Sequence, residues 1–383
     1  MRKIALDLGA RETTYCEVQD GKVVDRGTVR EIASLVAVLG PERPPATVAF
    51  EAGRQAWFVH DLLVGWHNEV VVVDTTRVKQ LGVGQHGRKT NRIDAEALAR
   101  ALERGGIPMA HVLSPARREL RQVLAVRRTL VETRASLVTT IRGLVREQGG
   151  KLPSCSTQHF VRRVREQRLE AKISTRIESL LGLVQHIDEQ LEPMEEQLEQ
   201  LCAREPITEV LTTAPGVGAV VAASFISVVD EADRFRHAHQ LESYIGLVPG
   251  ENSSGSKRRL GAITKEGNSY LRSLLVQAAW NILRTKGDDP LKSWAAKVAE
   301  RRGKKVAVVA LARRLVGVLW ALWRNGAAYD PRALAREGAR GLRQAAREME
   351  QQADALVNPK QPSSPAATPK RGTPRITAAT STA

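Results

Sequence analysis

Between residues 173 and 201 nine apolar side chains recur at alternating steps of four and three: Ile173, Ile177, Leu180, Val184, Ile187, Leu191, Met194, Leu198 and Leu201. This is the a/d seam of a helix that must bury one narrow stripe, and sustained over four heptads it demands a long helical partner. A looser version precedes it, with Leu130, Leu137 and Leu144 seven residues apart and shadowed by Val131, Val138 and Val145. Two long helices packing as a coiled coil are therefore expected over residues 113–203, separated by a polar break near Gly149, Gly150 and Pro153. The seam closes either as an antiparallel hairpin or against another subunit. Pro193 lies inside the second run and is expected to kink or interrupt it, because proline lacks the N–H that helix interiors use.

Around this helical spacer the chain changes character. Residues 1–112 read as α/β. The apolar runs "KIALDLGA", "TTYCEVQD" and "KVVDRGTV" are strand-like, with Asp20-Gly21 as a hairpin signal between the last two. A helix ("REIASLVAVLG"), a strand ("ATVAFEAG"), a helix ("QAWFVHDLLVGW"), a buried strand ("EVVVVD") and a helix from about Asn91 follow. Three meandering strands and then alternating helix and strand is the order expected of a ribonuclease-H-like sheet. Residues 204–330 read as a third, mostly α-helical domain with Gly-, Ser- and cation-rich loops. An Ala/Arg-rich terminal helix is expected over 331–357, then a disordered Pro/Ser/Thr/Ala-rich tail over 358–383.

The chain sets 58 Lys and Arg against 42 Asp and Glu, a net charge of +16. An excess of that size, spread along the chain, attracts polyanions and points to nucleic acid. Cys16, Cys155 and Cys202 are too far apart for a disulfide framework or a zinc cluster. No secretory signal is expected, since Arg2, Lys3 and Asp7 interrupt the first apolar run, and no apolar run is expected to reach the roughly 18–20 residues that span a bilayer. A reduced cytoplasmic protein without a membrane role is the expectation.

Three carboxylates stand out. Asp7 lies among Ile4, Leu6 and Leu8, Glu51 ends a later strand of the same sheet, and Asp94 sits in the first turn of a helix with Asn91 three residues before it. A carboxylate among strand apolars is costly unless paired or metal-bound. Three converging carboxylates repel one another unless a cation joins them, and oxygen-only ligands favour Mg²⁺ or Mn²⁺. Taken singly, each acid also suits a plainer role as a turn cap, a strand-end surface group or a helix N-terminal acid. "DLGARET" also fits the first phosphate loop of actin-like kinases, but their second Asp-x-Gly loop and adenosine loop are missing.

The C-terminal half holds a second constellation. Pro215-Gly216-Val217-Gly218 between two helical stretches resembles a helix-hairpin-helix element, in which a Gly turn and free helix N–H groups grip a phosphate. Further on, Ser253, Ser254, Gly255 and Ser256 precede Lys257, Arg258 and Arg259, with Lys265 in the next polar loop. Hydroxyls ringed by cations suit a phosphodiester, either as an attacking nucleophile or as a loop that merely binds backbone phosphate.

Together these motifs resemble the insertion-sequence-110 type of transposases, the DEDD/serine recombinases of bacterial mobile elements. The carriers are "ALDLGA", "AFEAG", "GRKTNRIDAEALA", "APGVGAVVAA", "RFRHAHQLESYIGLVPGENSSG" and "LGAITKEGNSYLRSLLVQAAW". The resemblance implies a RuvC-like domain whose acids bind Mg²⁺, a coiled-coil spacer, and a transposase domain in which the serine of a Ser-Gly pair forms a covalent link to DNA. On this chain that serine is Ser254 before Gly255, with Ser253 and Ser256 as alternatives in register. The catalytic set is then Asp7, Glu51, Asn91, Asp94 and Ser254, with Asp7, Glu51 and Asp94 as metal ligands. Gly216, Gly218, Gly255, Lys257, Arg258, Arg259 and Lys265 would bind nucleic acid. The resemblance further implies dimers or tetramers with composite sites, and in some members a structured non-coding RNA bridging donor and target DNA. One departure is plain. Where the pattern has its third acid this chain has Asn91, which keeps a carbonyl ligand but loses a charge. Asp74 is the better placed substitute, Glu96 the poorer. Two alternatives to an active serine transposase are an inactive nucleic-acid-binding relative and a metal-dependent, structure-specific nuclease without a serine intermediate.

Overall fold

The computed structural model describes residues 1–80, 90–251 and 260–333, and divides into two compact units, Met1–Glu119 and Leu120–Ala383. The expected terminal helix and tail lie outside the described residues, apart from 331–333.

The first unit is built on a five-stranded sheet. Its strands are β1 (Arg2–Leu8), β2 (Thr13–Gln19), β3 (Lys22–Val29), β4 (Ala46–Glu51) and β5 (Glu69–Val73), in the order β3-β2-β1-β4-β5. The first three form an antiparallel meander, and β4 and β5 add on parallel to β1. Asp20 and Gly21 both take positive φ, 50° and 72°, as a two-residue hairpin of matching twist requires. Alternation along the strands sorts the two faces. Ile4, Leu6, Val48 and Phe50 pack with α1 (Val36–Leu39) and α2 (Ala56–Gly65), whereas Ala5, Cys16, Ala49 and Val73 lie on the other face. The short helix α3 (Thr75–Gln80) follows β5, and α4 (Asn91–Arg104) covers the second face with Ala95, Leu98, Ala99 and Leu102. Small residues on the central strands let that helix come close. The helix expected at "REIASLVAVLG" is instead a 3₁₀ turn (Ile32–Leu35) followed by the single turn α1. Leu35 and Leu39 are buried there with Ile32 and Val38 packed beside them, and Gly40-Pro41 stops the chain before a longer helix can form.

The second unit begins along α5 (Pro115–Glu147), which is followed by α6 (Phe160–Arg165) and α7 (Ala171–Ala203). Helices α5 and α7 are each 33 residues long. They meet antiparallel within the one chain: Arg134 reaches Asp188 at 2.5 Å, Arg127 reaches Glu195 at 2.9 Å, and Ile141 and Leu181 share an apolar cluster capped by Phe160 and Val164. The expected seam is buried at seven of its nine positions, Ile173, Ile177, Val184, Ile187, Leu191, Leu198 and Leu201, and differs at Leu180 and Met194, which are only half-buried. Leu181 and Cys202 are buried beside it, and Asp188 lies half-buried next to Ile187. On α5 Leu120, Val123, Leu124, Ile141 and Val145 are buried, while Leu130, Leu137 and Leu144 are half-buried like Arg127 and Arg134, and Leu137 and Leu144 pack against the cluster of Ile141. Arg134 and Asp188 face one another, which is what allows charge to lie half-buried beside the apolar stripe. Helix α7 also runs on through Pro193, an exposed position where water can take up the carbonyl that proline leaves without its N–H.

The rest of this unit is α8 (Ile207–Thr212), α9 (Ala219–Val229), α10 (Ala238–Ile245), a strand pair β6 (Pro249–Glu251) and β7 (Leu260–Ile263), then α11 (Ser269–Arg284), α12 (Pro290–Arg302) and α13 (Lys304–Asn325). Leu120, Val123 and Leu124 of α5 and Leu198, Leu201 and Cys202 of α7 join the same core as α8 to α13. The helical spacer therefore shares one compact unit with the C-terminal helices. By length and composition α13 does reach the apolarity of a membrane span, contrary to expectation, with half of its apolar window buried. Leu311, Leu315, Val316 and Leu319 are fully buried in the core, which makes it the central helix of the unit.

Candidate functional site

In the first unit the parallel register aligns Leu6 with Phe50, which brings Asp7 level with Glu51 on the neighbouring strand. Both follow Ala5 and Ala49 by two residues and so share the face covered by α4. Thr90 caps that helix, its Oγ1 accepting the Ile93 N–H at 3.3 Å. The first turn, with Asn91 and Asp94, thereby stands over the end of β1. A Cβ placed on Gly9 would lie 3.7 Å from Asn91 Nδ2 and only 2.7 Å from the Glu12 carbonyl oxygen. Gly9 was not singled out by residue type, although the Asp-x-Gly spacing carries its signal: the turn after β1 has no room for a side chain. Thr14 pairs with Asp7 across β2, is buried, and shares a hydrogen bond with Thr28 at 3.3 Å.

The four sequence-predicted residues Asp7, Glu51, Asn91 and Asp94 thus come to one corner of the sheet. The two candidate substitutes are engaged elsewhere. Asp74 caps α3 by accepting the Arg77 N–H at 3.1 Å, and Glu96 pairs with Arg100 at 2.8 Å. Among the described residues no three His, Cys, Asp or Glu side chains gather closely enough to hold a metal ion. The corner offers oxygen ligands, but the arrangement described does not fit a metal held by three acids.

In the second unit Gly216 takes φ 74°, and a Cβ there would sit 2.7 Å from the Ala278 carbonyl oxygen on α11. Its glycine is required by that packing. Gly218 differs: it is the exposed N-cap of α9, with open space around it and no side chain capping the helix. Lys265 is exposed at φ 60°, its N–H donating to the Gly246 carbonyl at 3.1 Å, and Gly267 behind it packs against the backbone of Tyr244. Arg272 donates to the carbonyls of Ile245 and Glu266, fixing the turn between β7 and α11. Burial lowers its basicity. Strands β6 and β7 pair antiparallel and bracket residues 252–259. Ser253, Ser254, Gly255, Ser256, Lys257, Arg258 and Arg259 lie outside the described residues.

Comparison with known proteins bears on both regions. Residues 208–294 match the family described as "Transposase IS116/IS110/IS902 family", and residues 4–148 match a second model, described as "Transposase", of the DEDD type of the same group. The chain belongs to this family of transposases. A "Probable family 20 transposase" of Pseudomonas aeruginosa is 28% identical over 297 residues, covering 75% of this chain and 87% of the relative. The transposase for insertion sequence element IS1111A of Coxiella burnetii is 32% identical, over 61% of this chain and 66% of its own. The transposase for IS1328 of Yersinia enterocolitica is 26% identical over 85% of this chain and 98% of its own. The transposase match over 4–148 takes in the acidic corner, and the match over 208–294 takes in the Gly216 turn and the strand pair around Ser254.

Proposed function

We propose that this transposase cuts and rejoins DNA strands as its mobile element moves, with Ser254 as the nucleophile. In that reaction Ser254 Oγ attacks a backbone phosphorus and an Oγ–P bond forms as one P–O bond to deoxyribose breaks. The serine proton leaves with the departing sugar oxygen, and a strand hydroxyl from the partner DNA reverses the exchange. Lys257, Arg258, Arg259 and Lys265 would neutralise the phosphate, and the open N-terminus of α9 at Gly218 would take a neighbouring one. The observation that carries this reading is the transposase match over 208–294, which spans a paired pair of strands bracketing the serine- and cation-rich segment.

The sheet order supports a ribonuclease-H-like, RuvC-like reading of the first unit: an antiparallel meander extended by parallel strands, with the acids at the carboxyl ends of the two central ones. The family resemblance, rather than the arrangement described, is the ground for expecting Mg²⁺ or Mn²⁺ at Asp7, Glu51 and Asp94, with the Asn91 carbonyl beside them. No step of strand exchange is assigned to that ion, because three acids are not gathered among the described residues. The antiparallel ion pairs of α5 and α7 support a coiled-coil hairpin. Homo-oligomers, a bridging RNA and action on cytoplasmic, nucleoid-associated DNA complete the proposal, the net charge of +16 suiting two polyanions.

The test is to incubate the full chain with its element's end-junction DNA, Mg²⁺ and RNA from the flanking region, then denature and look for a protein–DNA adduct. Ser254→Ala is expected to abolish the adduct. Cleavage without an adduct would instead identify a metal-dependent nuclease, and neither product an inactive nucleic-acid-binding relative.

A further inference from the structure

In the helical unit a cavity of about 330 Å³ opens between the start of α5, the middle of α9 and the head of α11. Its polar lining is cationic and hydroxylic, without a carboxylate: Arg121 and Arg128 from α5, Ser224 and Ser227 from α9, Asn268 and Ser269 from α11. Asn268 and Ser269 end the polar loop of Lys265, whereas Arg121, Arg128 and Ser227 stand in no motif that the sequence singles out for phosphate.

Two independent features mark the cavity as built for an anion. The first is the helix end. Asn268 caps α11 by accepting the Leu271 N–H at 2.9 Å, which leaves the N–H groups of Ser269 and Tyr270 without an intrahelical acceptor at the positive end of a 16-residue helix. The second is the pair of buried serines. Ser224 is 2% exposed and Ser227 1%. Ser227 donates to the Ser224 carbonyl at 2.9 Å, whereas the Ser224 hydroxyl, which lines the cavity, has no hydrogen-bond partner among the described residues. With no partner among the described residues, this hydroxyl is satisfied from within the cavity, where a phosphate oxygen could accept from it. Arg128 is held in place, stacked on the Tyr270 ring at 4.9 Å and paired with Glu132 at 2.7 Å. Arg121 is exposed and has no ion-pair or hydrogen-bond partner among the described residues.

We infer that this cavity seats one backbone phosphate of a nucleic acid, with Arg121 and Arg128 balancing its charge and Ser224 Oγ and the α11 N–H groups donating to its oxygens. The inference rests on the reading of the chain as one that handles DNA, and adds to it a binding seat on the helical unit apart from the serine segment. DNA and RNA present the same phosphodiester, and titrating each polymer separately distinguishes them.

The test is fluorescence anisotropy of the full chain with labelled element-end duplex DNA and, separately, a labelled structured RNA, across a salt series. Each phosphate contact to duplex DNA contributes a slope of about −0.9 in log K against log salt, and about −0.7 to a single strand. Arg121→Gln is expected to weaken binding of one polymer by about three- to tenfold and to reduce its salt slope by about one contact. Ser224→Ala is expected to weaken the same polymer by a smaller factor with the slope unchanged, since no charge is lost. The polymer affected identifies the source of the phosphate. Weakening by Arg121→Gln without any by Ser224→Ala would make Arg121 a surface contact and overturn the seat, as would wild-type behaviour of both variants. Binding of neither polymer by the unaltered chain would overturn the reading of the chain as nucleic-acid-handling, and the seat with it. An unchanged Ser254-dependent adduct beside two silent variants would overturn the seat alone.

Discussion

The polar groups that gather in the sheet unit are carboxylates and an amide, held at the carboxyl ends of two parallel strands and the first turn of α4. In the helical unit they are arginines, serines and free N–H groups around a cavity. The first set repels a phosphate unless a cation intervenes, whereas the second attracts one directly. The difference lies in the architecture. A parallel strand pair sets matching side chains side by side, which suits ligands that converge on a point. Helix ends and crossing helices instead present N–H groups and long cationic side chains over a wider area. If the cavity seats a phosphate as inferred, affinity for nucleic acid is expected to belong mainly to the helical unit, with little from the sheet corner in the absence of a cation.

The comparison is most exposed where the helical unit uses charge for structure. Arg134 and Asp188 lie beside the apolar stripe with side chains 17% and 25% exposed, and the Arg134 Nε has no hydrogen bond. Arg134→Ala leaves Asp188 facing an apolar stripe and is expected to cost about 2–3 kcal/mol, less than the 3–5 of a fully buried pair. Replacing both partners with leucine is expected to restore or exceed the original stability. Chemical denaturation followed by circular dichroism checks both. A loss for Arg134→Ala no larger than the roughly 0.5 kcal/mol of a surface pair would show that these arginines belong to the binding surface rather than to the hairpin.

A smaller effect is expected at the acidic corner. Asn91→Asp adds a carboxylate beside Asp94 and the Gly9 turn, and ligand charge is a main determinant of hard-cation affinity. Mn²⁺ binding to the full chain, followed by electron paramagnetic resonance, is expected to tighten about tenfold, or roughly 1.4 kcal/mol. Stability should rise with added Mn²⁺ by more in the variant than in the original chain. An unchanged affinity would separate Asn91 from the corner's cation chemistry.

These two sites show what kind of information a sequence carries. The sheet corner was legible because each acid sits on a recognisable element and strand alternation decides its face. The two long helices were legible from their length of apolar repeat, and so was most of the α7 stripe, but the charges beside it were not. Leu180 and Met194 read as seam residues yet lie half-buried, and nothing local reveals that Arg134 and Arg127 wait opposite Asp188 and Glu195. A charge reads as solvent-facing until its partner, more than fifty residues away, is known. The α9–α11 cavity was hidden for the same reason: Ser224 looks like one more small residue in "AASFISVV" until Arg121 and Asn268 are brought beside it.

The smallest expected effect distinguishes the two units by their thiols. Cys16 is buried on β2 under α4, and burial, helped by the negative charge of Glu96, pushes its pKa up to about 11. Cys202 is buried in the helical core, where burial likewise raises its thiol. Each reports on the opening of its own unit. A thiol whose folded pKa is raised favours the folded state fully below the ordinary thiol value near 8.5, and that contribution fades as pH rises toward the folded value. Stability of the sheet unit is thus expected to decline between about pH 8.5 and about 11 through Cys16, and Cys16→Ser to flatten that decline. Labelling with a thiol reagent in rising urea should give separate midpoints for Cys16 and Cys202, because their cores share no buried residue. Coincident midpoints would mean that the units open together.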